Sequence, residues 1–207
     1  MRGEASTATG PLTGSLDLTG EEVSLRERKK QRTWLAIHES ARSLILERGV
    51  DGVTIEEICE QAEVSPRTFF NYFASKAEAA LGVREPSMPA AALERFAARH
   101  GEPGAVGDVC DLLASMIDLP PDPLRTKELA RRRPEIAPAI HHWMSLLRTA
   151  ISDAAIERLG ERDGRLAVAL VFAGLFESMH DAAATSTDDL AVRLRERVAA
   201  MVAIAQA

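Results

Sequence analysis

Residues 54–76 read TIEEICEQAEVSPRTFFNYFASK, and this stretch decides the fold because it holds two helix starts with a tight turn between them. Thr54 is followed three residues later by Glu57, the pattern of a capping box. In such a box the hydroxyl accepts from the backbone N–H of the third helical residue while the carboxylate reaches back to the N–H of the capping residue itself. Ser65 is followed at once by Pro66, a serine cap ahead of the one helical position where a missing N–H costs nothing. Starts at 54 and 65 leave room for about two turns of helix and a sharp reversal, the arithmetic of a helix-turn-helix. Ile55, Ile58, Cys59 and Ala62 form an inward stripe on the first helix, leaving Glu56, Glu57, Glu60 and Gln61 outside. In the second, Phe69, Phe70 and Phe73 supply apolar bulk, and Ser65, Arg67, Thr68, Asn71 and Tyr72 supply polar groups. Such a helix anchors by one face and reads by the other.

Working backward, residues 26–33 (RERKKQRT) carry five cationic side chains against one glutamate. A run of this kind is often only a solvated helix face. Ahead of a helix-turn-helix, Arg28, Lys29 and Lys30 are instead expected near DNA phosphates, even in a chain of net charge −6. The first helix is expected from about Ser24 to Gly49, with Trp34, Ile37, Ala41, Leu44 and Ile45 as its core stripe. Residues 1–23, rich in Gly, Ser and Thr, read as a disordered arm. Ser75 caps a fourth helix that runs through Leu81 until Pro86, either short or kinked and continuous beyond the prolines.

VSPRTFFNYFASK, with the preceding LILERGVDGVTIEEICEQAEV, resembles the DNA-binding head of the TetR family of bacterial transcriptional regulators, over about residues 26–80. The resemblance implies a repressor that binds a palindromic, double-stranded DNA operator as a homodimer and is released by a small molecule. It places Arg67 and Asn71 against base edges, suited to guanine and adenine respectively. It places Thr54, Thr68, Tyr72 and Lys76 against the backbone. Ser65 and Pro66 stand at the same N-terminal end of the reading helix. Phe70 departs from the family pattern, where tyrosine is common, so the position turns from a phosphate contact to packing or to a thymine methyl.

The fold class expected is all-α: a three-helix head over residues 24–81, then a helical ligand-binding and dimerisation domain over 82–207. Of the 207 residues 46% are hydrophobic, and Ala, Leu, Arg and Glu dominate, which favours helix. Helices are expected at about 89–99, 106–118, 124–132, 134–159, 162–184 and 188–205, separated by Gly and Pro signals. Of the last two, LAVALVFAGLFESM is apolar nearly all round, which means burial on two sides, and the final helix carries one apolar stripe. By the family resemblance they pair with those of a second subunit, and Leu170, Phe172, Leu175, Val198 and Met201 are the candidate contacts. Met116, His141, Trp143, Met144, Phe172, Phe176, Met179 and His180 are the candidate lining of an adaptable, mostly apolar effector pocket, with His142 beside them. Simple core filling is the alternative for that cluster.

No enzymatic constellation is legible: there is no GxGxxG, P-loop or GxSxG pattern, and the adjacent His141 and His142 diverge by about 100° on a helix. Cys59 and Cys110 lack metal-ligand spacing, and no cofactor or metal is expected. The N-terminus has no apolar signal region, and the longest apolar run, residues 166–176, is too short to span a bilayer. A cytoplasmic protein is expected, without membrane contact. A helical interaction protein that kept the head without ligand-controlled repression is the competing reading.

Overall fold

The computed structural model describes residues 18–99, 101, 104–118, 122–178 and 187–206, with side chains from residue 25 onward except at 123 and 187. Among these residues the chain is all-α. The helices are α1 (Leu18–Arg48), α2 (Ile55–Gln61), α3 (Pro66–Phe70), α4 (Lys76–Leu81), α5 (Ala90–Ala98), α6 (Ala105–Met116), α7 (Pro123–Arg132), α8 (Ala137–Leu159), α9 (Glu161–Ser178) and α10 (Thr187–Gln206), with a 3-10 turn at Pro134–Ile136.

The first helix begins at Leu18, earlier than the Ser24 its sequence suggested. The rest of the expected arm, residues 1–17, lies outside the described residues. Gly49, at φ 79°, stops α1, and its N–H returns to the Ile45 carbonyl at 2.8 Å.

Two hydrophobic cores result. The first gathers Trp34, Ile37, Ala41 and Ile45 of α1, Ile58 and Cys59 of α2, Phe69 and Phe73, and the buried residues 79–81 of α4. Leu129 of α7 and Ile136 of the 3-10 turn complete it, so the head draws on residues far beyond position 81. Arg133 fixes this docking by donating to the Leu46 carbonyl at 2.7 Å and the Glu47 carbonyl at 2.8 Å. These are last-turn carbonyls of α1, without partners inside their own helix, and a guanidinium suits the negative end of the dipole.

The second core draws on α5, α6, α8, α9 and α10. Val109, Cys110, Leu112, Leu113 and Ala114 of α6 are buried, as are Leu147 and Ile151 of α8, Val168 and Val171 of α9, and Leu194 of α10. Close backbone approach is built in at Gly164, where a Cβ would stand 2.8 Å from the carbonyl carbon and oxygen of Ala155. Gly174 is similarly covered by Val198, with Cγ2 at 3.2 Å from a Cβ placed there.

Candidate nucleic-acid interface

The helix-turn-helix is assembled by its caps. The Thr54 hydroxyl accepts from the Glu57 N–H at 3.2 Å, and Glu57 Oε2 accepts from the Thr54 N–H at 2.8 Å. Arg48, at the end of α1, donates to Glu57 Oε1 at 2.8 Å and ties that box to the first helix. The Arg48 bond, followed by those from Thr54, holds the Glu57 carboxyl down at about 2. At the next start the Ser65 hydroxyl accepts from the Thr68 N–H at 3.1 Å, with Pro66 in the first turn. Between the helices Glu63 adopts φ 55°, a left-handed conformation that glycine takes without cost. The sequence gives no sign of this, because its turn carries a glutamate where a glycine would have announced it.

Phe69 is fully buried and holds α3 against the core, with Phe70 edge-on at 5.4 Å and Phe73 at 6.1 Å. On the outer side Ser65, Pro66, Arg67 and Asn71 are exposed, and Thr68 and Tyr72 half-buried. Phe70 is 56% exposed, which leaves packing within the chain as the lesser part of its surroundings. Lys76 donates to the Val53 carbonyl at 2.7 Å, so one of its three N–H groups pins the start of α4 to the turn before α2. Thr54 is likewise engaged in its cap. Arg28, Lys29 and Lys30 are all exposed on α1, with Lys30 4.0 Å from Glu27.

Within the head, α1 is tied to α4 by His38, which sequence reading passed over. It is fully buried, its Nδ1 donates to the Ala79 carbonyl of α4 at 2.8 Å, and its ring stacks on Trp34 at 5.4 Å. Burial pushes its pKa below the usual 6.5, against the opposing pull of the Ala79 bond. Gly82 ends α4 at φ 68°, and a Cβ there would come within 2.8 Å of the His38 ring. The expected run toward Pro86 therefore stops four residues early, and α4 is short.

Residues 37–81 match the family model of bacterial regulatory proteins, tetR family. The DNA-binding head belongs to the TetR family. Over 69 residues the chain is 45% identical to the HTH-type transcriptional regulator TcmR of Streptomyces glaucescens, a match covering 33% of this chain and 30% of that protein. The match thus spans less than a third of that curated relative's length. A solved structure from Mesorhizobium loti, described as a TetR-family transcriptional regulator, is 18% identical with a TM-score of 0.37, over 84% of this chain and 96% of that one. At that score the likeness carries no argument about how the helices are arranged.

In this TetR-headed chain the candidate effector residues scatter. Met116 is buried in the second core, Trp143, Met144 and Phe172 are half-buried against it, and His141, His142 and Phe176 are exposed. Met179 and His180 lie outside the described residues. None of the cluster lines any of three clefts found among the described residues. Trp143 has a different place: its Nε1 donates to the Arg84 carbonyl at 2.8 Å, in the segment between α4 and α5. The Arg84 guanidinium lies over the Trp34 ring of the head, 4.8 Å from its centroid. Burial pushes the Cys59 thiol up and the Cys110 thiol to about 11, so neither is poised as a nucleophile. Among the described residues no group of three metal-ligating side chains occurs, and no helix is long and apolar enough to cross a membrane.

Of the candidate subunit contacts, Val198 and Leu175 prove to be buried within the chain's own core, and Leu170 and Phe172 are half-buried against it. The apolar side chains that α9 and α10 leave outside include Leu166, Val192, Val202 and Ile204, the last 77% exposed.

Proposed function

We propose that the chain is a transcriptional repressor that binds a palindromic operator as a homodimer and is released by a small effector. One observation carries the reading: a helix anchored by a buried Phe69 presents Arg67, Phe70 and Asn71 to the outside, beside a serine-capped N-terminus. Arg67 suits the O6 and N7 of guanine, Asn71 the N6 and N7 of adenine, and Phe70 a thymine methyl. The exposed cations of α1 suit phosphates, which position the head without reading sequence.

Dimerisation is supported by the apolar side chains outside α9 and α10, because a head with few phosphate contacts binds weakly alone and two-fold symmetry doubles them. Effector control is supported by the Trp143, Arg84 and Trp34 chain, which joins α8 to the head through the segment 82–89. Anything that moves Trp143 moves that segment. For an effector to switch nearly all operator from occupied to empty, it must prefer the released form by about 5.5 kcal/mol.

The test is a gel shift against DNA flanking the chain's own gene, repeated with Arg67→Ala and Lys30→Ala. Arg67→Ala is expected to cost about 1–3 kcal/mol and to relax preference at one base pair per half-site. Lys30→Ala is expected to weaken all sequences alike and to flatten the salt dependence. Equal loss of specificity in the two variants rejects the assignment.

A further inference from the structure

The helical body holds a guanidinium for which the DNA-binding head has no use. Arg158, in the last turn of α8, is only 6% exposed. Its Nη2 donates to Asp108 Oδ2 and to the Arg99 carbonyl, each at 2.7 Å. Its Cζ lies over the Phe96 ring, 4.4 Å from the centroid. Its Nε and Nη1 are buried and find no hydrogen-bond partner among the described residues. Buried polar groups are normally paired, and buried charges all the more so.

A cleft of about 210 Å3 lies beside these neighbours of Arg158, walled by the apolar Ala92, Phe96 and Leu112 and by the polar Arg95, Arg99 and Asp108, with Arg158 itself off its wall. Phe96, Arg99 and Asp108 are at once wall of the cleft and neighbours of Arg158, so the guanidinium stands directly behind that wall. The carboxylates here are already taken. Asp108 is held by Arg99 and Arg158, each at 2.7 Å, and Asp111, also on the wall, by Arg195. Counting Arg95, four guanidinium groups face two carboxylates, and the surplus is positive.

We propose that this cleft binds a small monocarboxylate, its anionic end accepting from the unpartnered N–H groups of Arg158 and its apolar end lying on Ala92, Phe96 and Leu112. Charge-assisted bonds to a guanidinium are among the strongest available to a carboxylate. The volume falls below the 300–1,000 Å3 or so of sites for drug-sized ligands, which fits an acid of only a few carbons or a single ring. Phe96 both lines the cleft and packs on the guanidinium, so in this proposal it is the side chain that has to move. It belongs to α5, which follows directly on the segment carrying Arg84. The proposal deepens the effector reading and rests on it only for the effect on DNA; binding itself stands on the cleft.

The experiment uses the full chain, titrated by calorimetry and thermal shift with butyrate and benzoate, with butyramide and benzamide as neutral isosteres, and with inorganic phosphate. The acids are expected to bind and to raise the melting temperature by several degrees, with no shift from the amides or phosphate. The double variant Asp108→Asn with Arg158→Met removes the buried pair together and is expected to lose acid binding. Should it fail to fold, the comparison of acid with amide on the unaltered chain decides alone. Amides binding as well as acids, phosphate binding as well as both, or no shift from any probe overturns the proposal. Operator binding measured alongside separates the two claims. Intact operator binding without acid binding sinks only this site, and acid binding without operator binding sinks only the regulator reading.

Discussion

The head and the body are built from the same material, helix, yet they are specified differently. In the head, α2, α3 and α4 are five to seven residues long, and each begins with a hydroxyl side chain accepting from a backbone N–H. In the body, α8 and α10 run to 23 and 20 residues, and α5, α6 and α8 lack a side-chain cap. Short helices cannot nucleate on their own, so the head needs caps and a shared aromatic core. Long helices are held by the faces they bury, and there the decisive residues are small ones such as Gly164 that let backbones meet. The lesson is that the head is written in local signals and the body in distant contacts.

The strongest way to break that contrast is to hollow the head. Phe69→Ala is expected to cost about 3–5 kcal/mol, because a fully buried ring leaves a cavity that its neighbours fill only in part. Denaturant unfolding followed by circular dichroism reads the loss. Because Leu129 and Ile136 sit in the head core, one shared transition at lower denaturant is expected. A separate early transition with the body untouched would mean that the two cores are independent after all.

A methyl at Gly164 probes the body. Its Cβ would meet Ala155 backbone atoms, which cannot swing aside, so Gly164→Ala is expected to cost about 1–3 kcal/mol as overpacking between α8 and α9. Operator affinity measured well below the melting point should be unchanged. A loss there would show that the fit of α8 on α9 sets the head's geometry.

A smaller effect sharpens the comparison through pH. The folded chain keeps His38 neutral where the unfolded chain takes up a proton, so the native state binds fewer protons below the usual 6.5. Its contribution is therefore fully present above 6.5 and is lost as pH falls. Glu57, held at about 2 from a usual 4.5, contributes above 4.5 and loses that contribution at lower pH. Melting temperatures between pH 7.5 and pH 5 should fall more steeply for the unaltered chain than for His38→Gln. Parallel curves would mean that His38 does not set the acid sensitivity.

Legibility followed the same divide. The capping box at Thr54, the Ser65-Pro66 start and the Gly49 and Gly160 stops were readable because each acts within one turn of chain. The body's helices were readable as segments by their Gly and Pro borders. Their partners were not: Arg133 on α1 carbonyls, Trp143 on Arg84 and Arg158 on Asp108 are each 50 or more residues apart in the chain. Val198 shows the same limit, since an apolar stripe on α10 does not say whether the neighbour covering it is α9 or a second chain. His38 was hidden for the opposite reason, as a polar residue inside an apolar stripe whose partner is a backbone carbonyl on α4.

The central claim is that α3 reads base edges and that two heads act together. Selection of bound duplexes from random-sequence DNA, followed by the mass of the purified complex, tests both at once. The account predicts an enriched site with two inverted half-sites and paired chains on each duplex, with Arg67→Ala losing one defined base pair in both halves. Enrichment of no sequence, or of a single unrepeated site occupied by one chain, would contradict it.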